Sequence, residues 1–380
     1  MKSLMILGAG TMQVPIIEKC KTMGVRTLVA DQDPAAVGLG LADHPLIIST
    51  NDIPGILAAA RKNAIDGILT TSDFPVRTVA AVAAEMGLPG VAMTAAEICT
   101  DKFLQREALG RAGLPMPQHL LLGPEDPISP LSFAFPVIVK PVDSSASRGV
   151  RRVDHAEQLP LAVQFARANG RCGRIVIEEW VEGPEFSVEV LIQHKIAHII
   201  AITAKTTAGD GGAYFVETRH VVPAGISAGE ECAIRQTVSM AVLAVGLDYC
   251  ASHVELKLSK AGPVIIEMAA RLGGDYITSD LVPLATGVDM LGNVICMALG
   301  EPIDAIQKWH RCAGIQFVVP GNHAAMADRI PTLLRDPRVV RTEIKSMPEG
   351  AVLRNSMDRL GYTIAVADSL MELENLLQAP

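Results

Sequence analysis

The sequence lacks the features that mark several common classes of protein. Its seven cysteines are scattered, their number is odd, and no two of them form a CxxC pair. This spacing argues against a disulfide framework or a zinc site and is typical of a reducing compartment. The apolar run near Met1 is too short for a signal peptide, and no uncharged apolar stretch is long enough to span a membrane. We therefore expect a cytoplasmic protein without a membrane span.

Aromatic side chains and blocks of like charge are also scarce. Aromatic residues make up 4% of the chain, the formal net charge is −8, and the lysines and arginines form no block. These properties argue against a nucleic-acid partner. The 380 residues are nevertheless 49% hydrophobic, which predicts a globular protein with about two to four compact units.

The first 95 or so residues alternate short β-like runs with helical patterns. We predict strands at residues 4–7, 27–30, 46–49, 67–70 and 90–92, and helices at residues 11–23, 53–62 and 76–86. This order predicts a doubly wound parallel sheet, and so an α/β fold. Residues 8–13 follow the first strand, but Gln13 occupies the position of the third glycine of a dinucleotide-binding motif. The sequence thus gives little support for NAD binding.

The rest of the chain predicts an α+β arrangement. A helix at residues 101–113 leads through a proline-rich connector into a small α/β unit at residues 120–182. That unit has predicted strands at 136–140 and 174–179 and a helix at 157–169. Long strands of period two then run from residue 185 to 267 around a helix at 230–245, which predicts an antiparallel sheet. A helix at 289–299 precedes a β-hairpin tail with a turn at 358–362, a strand at 363–367 and a short final helix.

One predicted hairpin places two acidic side chains opposite each other. Residues 253–258 alternate polar and apolar side chains, 259–263 are turn-forming, and 264–268 form a second strand. If the turn is symmetric about Ala261, Glu255 and Glu267 are cross-strand partners with Cβ atoms about 5 Å apart. Facing carboxylates repel unless a cation lies between them, which predicts Mg²⁺ carrying a nucleotide phosphate. The opposite, packed face would hold Val254, Leu256, Leu258, Val264, Ile266 and Met268.

Basic and small residues elsewhere could contact the same phosphate. Arg271 offers a planar fork of donors for phosphoryl or carboxylate oxygens, although a structural Glu–Arg ion pair is the alternative. Lys140 ends an apolar strand directly before the serine-rich segment 144–149, whose small residues let backbone amides approach a phosphate. A lysine that reaches out to water and an ordinary solvent turn are the alternatives. The GxxxxGK[ST] phosphate loop is absent.

Two further segments are suited to a small-molecule site. Residues 177–185 pass from an apolar strand into an acidic run, where free backbone groups could bind an adenine edge and a carboxylate could accept ribose hydroxyls. An acidic surface junction is the alternative. Glu217 and His220 follow a glycine-rich loop at residues 209–212, and they could hold or deprotonate an attacking amine unless they are structural.

The order of these segments resembles the ATP-grasp superfamily. Residues 101–103 and 112–115 look like its central segment, 135–141 like its lid strand, 144–149 like its phosphate loop, 178–185 like its adenine and ribose segment, and 255 with 267–271 like its metal and phosphate strands. Within the superfamily, the run EMAARLGGD and the spacing of Glu217 and His220 look most like carboxylate–amine ligases that join amino acids.

The resemblance implies roles for individual residues. Lys102 and Lys140 would contact phosphate or the region between base and phosphate. The backbone of Glu179 and Val181 would bind adenine, and Glu185 would hold ribose. The implied cofactor-binding set is Lys102, Lys140, Ser144, Ser145, Ser147, Arg148, Gly149, Glu178, Glu179, Trp180, Val181 and Glu185. The implied catalytic set is Arg271, Lys140, His220 and Glu217, and the implied ligands of Mg²⁺ or Mn²⁺ are Glu255 and Glu267. The family commonly has Asn where Ala269 stands, which leaves the number of metal ions open.

The resemblance also implies an architecture and an activity. We expect an N-terminal α/β domain at residues 1–97, an ATP-grasp domain at 98–305 with a lid at 120–182, and a small β-hairpin-rich domain at 306–380. The implied activity is ATP- and Mg²⁺-dependent joining of a small-molecule carboxylate to an amine through an acyl phosphate, with amino acids as substrates, in a homodimer. The same scaffold serves purine-biosynthesis enzymes that activate formate or bicarbonate, and a non-catalytic ATP-binding module is the remaining alternative.

Overall fold

The computed structural model describes residues 1–208 and 215–377, which form one eight-stranded sheet and two four-stranded sheets. The glycine-rich loop predicted at residues 209–212 lies outside the described residues. All seven cysteines are free, as their spacing predicted. The mixture of a parallel sheet with two antiparallel sheets confirms the predicted α/β and α+β fold class.

The first sheet is parallel and carries helices on both faces. Its strands lie in the order β3-β2-β1-β4 and are β1 (Ser3–Leu7), β2 (Arg26–Asp31), β3 (His44–Ile47) and β4 (Gly67–Thr70). Helix α1 (Val14–Thr22) packs on one face, and α2 (Ile53–Asn63) and α3 (Val76–Met86) pack on the other. Gln13 donates to the hydroxyls of Thr71 and Ser72 at 3.2 and 3.1 Å, so this side chain fastens the turn after β1 to the end of β4.

The predicted strand at residues 90–92 is wrong. These residues instead lead into α4 (Met93–Cys99), a helix that the sequence analysis did not predict. Gly90 lies so close to α3 that a Cβ atom there would be 2.9 Å from the Cβ of Ala83. The parallel sheet is therefore complete with four strands.

The lid unit is a small antiparallel sheet with one helix. Helix α5 (Lys102–Arg111) precedes it and begins after Asp101, whose carboxylate accepts two amide hydrogens of the first turn at 3.0 and 3.1 Å. The lid strands lie in the order β5-β8-β6-β7 and are β5 (His119–Leu122), β6 (Val137–Pro141), β7 (Arg151–Val153) and β8 (Ile175–Glu179). Helix α6 (Leu159–Asn169) packs against them. The strands predicted at 136–140 and 174–179 are confirmed within one residue.

The largest sheet is antiparallel and extends well beyond the region predicted for it. Its order is β13-β12-β9-β10-β11-β14-β16-β15, and its strands are β9 (Glu185–Gln193), β10 (Ile196–Thr207), β11 (Glu217–Val222), β12 (Cys250–Ser259), β13 (Gly262–Ala269), β14 (Cys312–Val318), β15 (Val339–Ile344) and β16 (Gly361–Ala367). Helix α7 (Ala228–Val245) covers one face of β9, β12 and β13, so the polar side chains of these strands lie on the other face.

The C-terminal strands continue this sheet, because β11 pairs with β14 and β14 pairs with β16. The remaining helices are α8 (Val282–Thr286), α9 (Met290–Ala298), α10 (His323–Leu333) and α11 (Leu370–Leu377). The first sheet and its helices α1 to α3 are called the N-terminal unit. Helix α9 packs on this sheet beside α1 and so joins the N-terminal unit to the large sheet. The domain boundaries at residues 97 and 305 stay a prediction.

Across residues 1–208 and 215–377, no single helix has the length and apolar character of a membrane span. One pair of helical segments, Ile277–Thr286 with Met290–Ala298, meets those criteria together but is bent by 114°.

Candidate active site

A cavity of about 310 Å³ lies between the lid, the large sheet and the loop after β4. It brings together every candidate residue from the sequence except Gly149, namely Lys102, Lys140, Ser144, Ser145, Ser147, Arg148, Glu178, Glu179, Trp180, Val181, Glu185, Glu217, His220, Glu255, Glu267 and Arg271. Gly149 has a φ of +77°, and a Cβ atom there would lie 2.7 Å from the Cβ of Asn169. Its role is therefore to let the chain pass close to α6.

The hairpin of β12 and β13 sets Glu255 directly opposite Glu267, as predicted. The predicted turn was symmetric about Ala261, whereas the turn in the structure has two central residues. A bulge after Glu255 compensates for this difference and restores the pairing of Glu255 with Glu267. The bulge turns Ile265 into the core and leaves Ile266 in the cavity wall beside Glu267. The prediction that Val264 and Ile266 belong to the packed face is therefore wrong.

Each of the two facing carboxylates is paired with a lysine. Glu255 Oε1 lies 2.6 Å from Lys205 Nζ, and Glu267 Oε1 lies 3.0 Å from Lys102 Nζ. The ammonium of Lys102 also donates to the backbone carbonyl of Ser144. These two cations offset the repulsion expected between the facing acids.

Lys205 is a site residue that the sequence analysis missed. Its side chain is 3% exposed, and Nζ lies 2.6, 2.9 and 3.5 Å from the carboxylates of Glu255, Glu185 and Glu217. Burial disfavours the charged form, but the three carboxylates outweigh it and raise the pKa of Lys205 well above its usual value. A lysine near the end of an apolar strand, the pattern that drew attention to Lys140, was the available signal.

Arg271 is held by a carboxylate of the N-terminal unit. Its Nε and Nη2 donate to Asp73 Oδ1 and Oδ2 at 2.7 and 3.1 Å, and Nη1 donates to the carbonyl of Leu272 at 2.9 Å. Burial raises the pKa of Asp73, but the charge and hydrogen bonds of Arg271 prevail and lower it. The ion-pair partner is thus Asp73 and not a glutamate. Asp73 follows a strand of the parallel sheet, and the ends of such strands are where α/β sheets bind ligands. This position was a signal in the sequence that could have identified Asp73.

A buried ion pair beside Glu255 was also missed by the sequence analysis. His253 Nδ1 lies 2.5 Å from Glu189 Oε1, and Nε2 lies 3.5 Å from Glu255 Oε1. Burial disfavours the imidazolium, but Glu189 and Glu255 prevail and raise the pKa of His253 to about 9. Glu189 also accepts the amide hydrogen of Gly273 at 3.2 Å. A Cβ atom on Gly273 would lie 2.6 Å from that carboxylate, so a larger residue there would displace the pair.

Lys140 lines the cavity from within a buried ion-pair network. Its Nζ lies 2.7 Å from Glu178 Oε2, and Arg106 Nε lies 2.7 Å from Glu178 Oε1. Burial raises the pKa of Glu178, but the two cations overcome it and lower the pKa to about 2. Lys140 is 4% exposed, so the alternative of a lysine that reaches out to water is wrong. Glu178 was expected to contact a nucleotide, yet both of its oxygens are taken up by these two side chains.

The serine-rich segment after β6 forms a tight turn that opens on the cavity. Ala146 and Ser147 both have a φ of 55°. The Ser144 hydroxyl donates to the carbonyl of Arg148 at 2.9 Å, and Arg148 Nε donates to the carbonyl of Ser145 at 3.2 Å. This segment therefore presents hydroxyls, amides and a guanidinium on the side where Lys102 and Lys140 lie.

The acidic segment after β8 forms the opposite end of the cavity. Trp180 stacks with Phe215 at a centroid distance of 6.0 Å, and Lys257 Nζ lies 3.7 Å from the centre of its ring. The amide of Glu179 is bonded to the carbonyl of Gln118 at 3.0 Å. The amide of Val181 has no hydrogen-bond partner in the described part of the chain. A planar ligand could contact this backbone while its polar edge accepts from Val181.

Glu217 and His220 both line the cavity and are linked through two other residues. Arg359 donates to Glu217 Oε2 at 2.9 Å and to Asp275 Oδ2 at 2.8 Å. His220 Nε2 lies 3.6 Å from Asp275 Oδ2, and neither ring nitrogen has a hydrogen-bond partner among the described residues. The imidazole is 1% exposed and lies edge-on to Phe317. A buried ring at the cavity wall whose nitrogens form no hydrogen bond within the described residues is a ready contact for a polar ligand group.

The donor set fits a divalent cation that arrives with phosphate. Glu255 and Glu267 supply hard oxygens from one wall, and Ala269 supplies none. Over residues 1–208 and 215–377, no group of three or more His, Cys, Asp or Glu side chains forms a ready metal centre. Mg²⁺ is commonly held by one or two carboxylates together with water and phosphate oxygens, so two glutamates suffice.

Comparisons with known proteins agree with this geometry. A family model for the ATP-grasp domain matches residues 133–280. A D-alanine–D-alanine ligase of Hydrogenovibrio crunogenus is 32% identical over 213 residues, which cover 54% of this chain and 66% of that ligase. Other D-alanine–D-alanine ligases are matched over about half of their length, for example 52% for that of Pseudomonas putida.

Solved structures resemble the whole chain. An L-amino acid ligase from Bacillus licheniformis has a TM-score of 0.81 at 24% identity, with 99% of this chain and 96% of that one covered. A phosphoribosylglycinamide synthetase from Anaerococcus prevotii has a TM-score of 0.76 at 20% identity, with 98% and 96% covered. At these identities the likeness establishes the fold. Residues 133–280 thus match an ATP-grasp domain, and the fold of the chain is that of the solved structures it resembles.

Proposed function

We propose that the protein is an ATP-dependent ligase that forms an amide from a carboxylate and an amine. The observation that carries the proposal is the single cavity in which Glu255, Glu267, Arg271 and the serine-rich turn lie together. The relatives support it, because the D-alanine–D-alanine ligases and the L-amino acid ligase are named for reactions of this kind. By the same analogy, we propose amino acids as substrates.

In the proposed reaction, the substrate carboxylate attacks the γ-phosphorus of ATP, which forms an acyl phosphate and releases ADP. The amine then attacks the acyl carbon, phosphate leaves with the electrons of the C–O bond, and the amine loses a proton. The developing charge on the phosphoryl oxygens would be met by Arg271, Lys102 and Lys140. Glu255 and Glu267 would hold Mg²⁺ or Mn²⁺, which when bound neutralises phosphate charge.

The other residues would position the substrates and exclude water. His220, whose ring nitrogens form no hydrogen bond with the described residues, would accept a hydrogen bond or the proton of the amine, while Arg359 holds Glu217 in place. The adenine would lie against the segment of Glu179 to Val181, with its ribose at Glu185. Closure of the lid, residues 120–182, would protect the acyl phosphate from hydrolysis.

A screen for ADP release over pairs of amino acids, with mass spectrometry of the products, tests the proposal. We expect ADP and an amide-linked product in equal amounts for at least one pair. ADP without a ligated product, or no ADP with any pair, would count against it.

A second candidate is a purine-biosynthesis type of reaction. The likeness to a phosphoribosylglycinamide synthetase and to N5-carboxyaminoimidazole ribonucleotide synthetases favours it. Supplying formate or bicarbonate with a phosphoribosyl amine distinguishes the two, because only this candidate predicts ADP release with those substrates. For either reaction we propose a cytoplasmic homodimer that acts on small molecules and not on nucleic acids.

A further inference from the structure

A second cavity of about 350 Å³ adjoins the first, between the N-terminal unit and the lid. The two cavities share Asp73, Lys102, Ser144 and Ser145 in their walls. None of the roles proposed above accounts for this second space.

The walls of the second cavity are rich in cations. They include Lys102, Arg77, Arg171 and Arg174. Lys102 and Arg174 are neutralised by Glu267 and Asp101, at 3.0 and 2.9 Å. Arg77 and Arg171, in contrast, have no carboxylate within ion-pair distance in the part of the chain that the structure describes.

Arg77 projects from α3, where its Nε donates to the Thr100 hydroxyl at 2.6 Å and Nη2 reaches the Glu97 carbonyl at 3.5 Å. Both partners are neutral, so the positive charge is retained. These hydrogen bonds to the C-terminal end of α4 hold the guanidinium in a fixed position at the cavity wall.

Arg171 belongs to the lid, and its guanidinium carbon lies 3.6 Å from the centre of the Phe74 ring. Stacking occupies one face of the guanidinium and leaves its N–H edge for a ligand. The acids nearby are already engaged. Asp143 accepts the backbone amides of Arg171 and Cys172, both at 3.0 Å, and Asp73 is bound to Arg271.

We infer that the second cavity is a subsite for an oxyanion, bound between Arg77 of the N-terminal unit and Arg171 of the lid. This inference rests on the proposed function in one respect, namely that the oxyanion belongs to a substrate. The substrate would carry a second acidic group, as a dicarboxylic amino acid does. Inorganic phosphate offers the same chemistry and is the other possible source.

Calorimetric titration of the full chain tests the subsite without turnover. The protein is first saturated with Mg²⁺ and a non-hydrolysable ATP analogue, so that the phosphate positions of the main cavity are filled. L-glutamate, L-glutamine and inorganic phosphate are then titrated separately. We expect L-glutamate to bind more tightly than L-glutamine. Tighter binding of phosphate than of L-glutamate would also support an oxyanion subsite and would make phosphate its ligand.

Two variants and a control test whether the second cavity is responsible for the preference for an anion over L-glutamine. Arg77→Gln and Arg171→Gln should each weaken the binding of the preferred anion by about tenfold to a hundredfold, since a hydrogen bond to a charged group is lost. L-glutamine affinity should stay within about threefold. The control is Arg61→Gln, because Arg61 is 58% exposed and pairs with Glu85 on the surface of the N-terminal unit.

Arg77 also joins α3 to the C-terminal end of α4. Arg77→Lys is therefore the second variant at that position. It keeps the charge and should keep most of the preference, and thermal unfolding verifies that each variant is folded. Unchanged affinities in both glutamine variants, or no binding of either anion to the wild type, would overturn the inference. Because no turnover is needed, a protein that fails the ADP screen can still pass this test, and an active ligase can fail it.

Discussion

Arg271 and Asp73 form a two-point ion pair that joins the large sheet to the N-terminal unit, with Nε–Oδ1 and Nη2–Oδ2 distances of 2.7 and 3.1 Å. Arg271 follows β13, whereas Asp73 follows β4. The direction in which the guanidinium enters the cavity therefore depends on a loop almost two hundred residues away in the sequence. A planar fork is needed to bond both carboxylate oxygens at once.

Arg271→Lys should therefore lower the rate of ADP release while ATP still binds. If Arg271 acts on the transferred phosphoryl group, kcat should fall about 10²- to 10³-fold, with ATP affinity changed by less than about threefold. Steady-state ADP release and calorimetric ATP binding measure the two quantities.

Asp73→Asn is the matched variant. It keeps the guanidinium of Arg271 but removes the negative charge of the carboxylate that orients it. We expect a smaller loss of kcat, about tenfold. A kcat for Arg271→Lys equal to that of the wild type would exclude a role in phosphoryl transfer.

Glu267→Gln should lower the Mg²⁺-dependent release of ADP by at least about 100-fold, because one of the two carboxylates proposed to hold the metal becomes neutral. Chelation with EDTA should have the same effect on the wild type, and added Mg²⁺ or Mn²⁺ should restore the rate. Glu301→Gln is the control, since Glu301 is 41% exposed and pairs with Lys2. Turnover of Glu267→Gln near that of the control would rule out the metal role.

Lys205→Met should destabilise the protein strongly. The change leaves the carboxylates of Glu185, Glu217 and Glu255 without their common cation, and loss of one partner of a buried ion pair costs about 3–5 kcal/mol of the free energy of unfolding. Urea unfolding at pH 7 measures this cost. Lys260→Met is the control, because Lys260 is exposed in the β12–β13 turn, and it should change stability by less than about 0.5 kcal/mol.

The effect of Lys205→Met should shrink as the pH falls. Burial raises the pKa of Glu255, but Lys205 and His253 prevail and hold it well below its usual value. Such a carboxylate stabilises the fold above its unfolded pKa of about 4.3, and this stability is lost as the pH falls through the folded value. Lys205→Met lacks part of the stabilisation of the Glu255 carboxylate, so it has less unfolding free energy to lose as the pH falls. A constant difference between pH 7 and pH 3 would contradict this explanation.

His253 predicts the opposite dependence at alkaline pH. Its pKa is raised from 6.5 to about 9, so its contribution to stability is fully present below pH 6.5 and is lost as the pH rises through about 9. The shift corresponds to about 3 kcal/mol of unfolding free energy. His253→Gln should remove this loss, which urea unfolding at pH 6 and pH 9.5 would detect.

An NMR titration of the wild-type histidines tests the same point directly. The imidazole of His253 should titrate near pH 9. A His253 midpoint near the usual value of about 6.5 would contradict the assignment.

Local sequence accounts for much of the fold and for most of the cavity wall. The alternation around Glu255 and Glu267, with turn-forming residues between them, predicted that they face each other, but in the structure this pairing depends on a bulge. Even there the sequence did not reveal the bulge, because a one-residue slip depends on how Ile265 packs in the core. The prediction of a strand at residues 90–92 failed because a short apolar run is compatible with several backbone conformations.

The sequence by itself determined the candidate ligands, because patterns of period two and turn chemistry act over a few residues and indicate which side chains share a face. The tertiary structure alone decided what neutralises and orients them. Asp73 reaches Arg271, Arg106 reaches Glu178, and Lys205 reaches Glu255 across distant parts of the chain. A buried charge must find an opposite charge within a few ångströms, and that partner is set by how the sheets and the lid pack together and not by distance along the sequence.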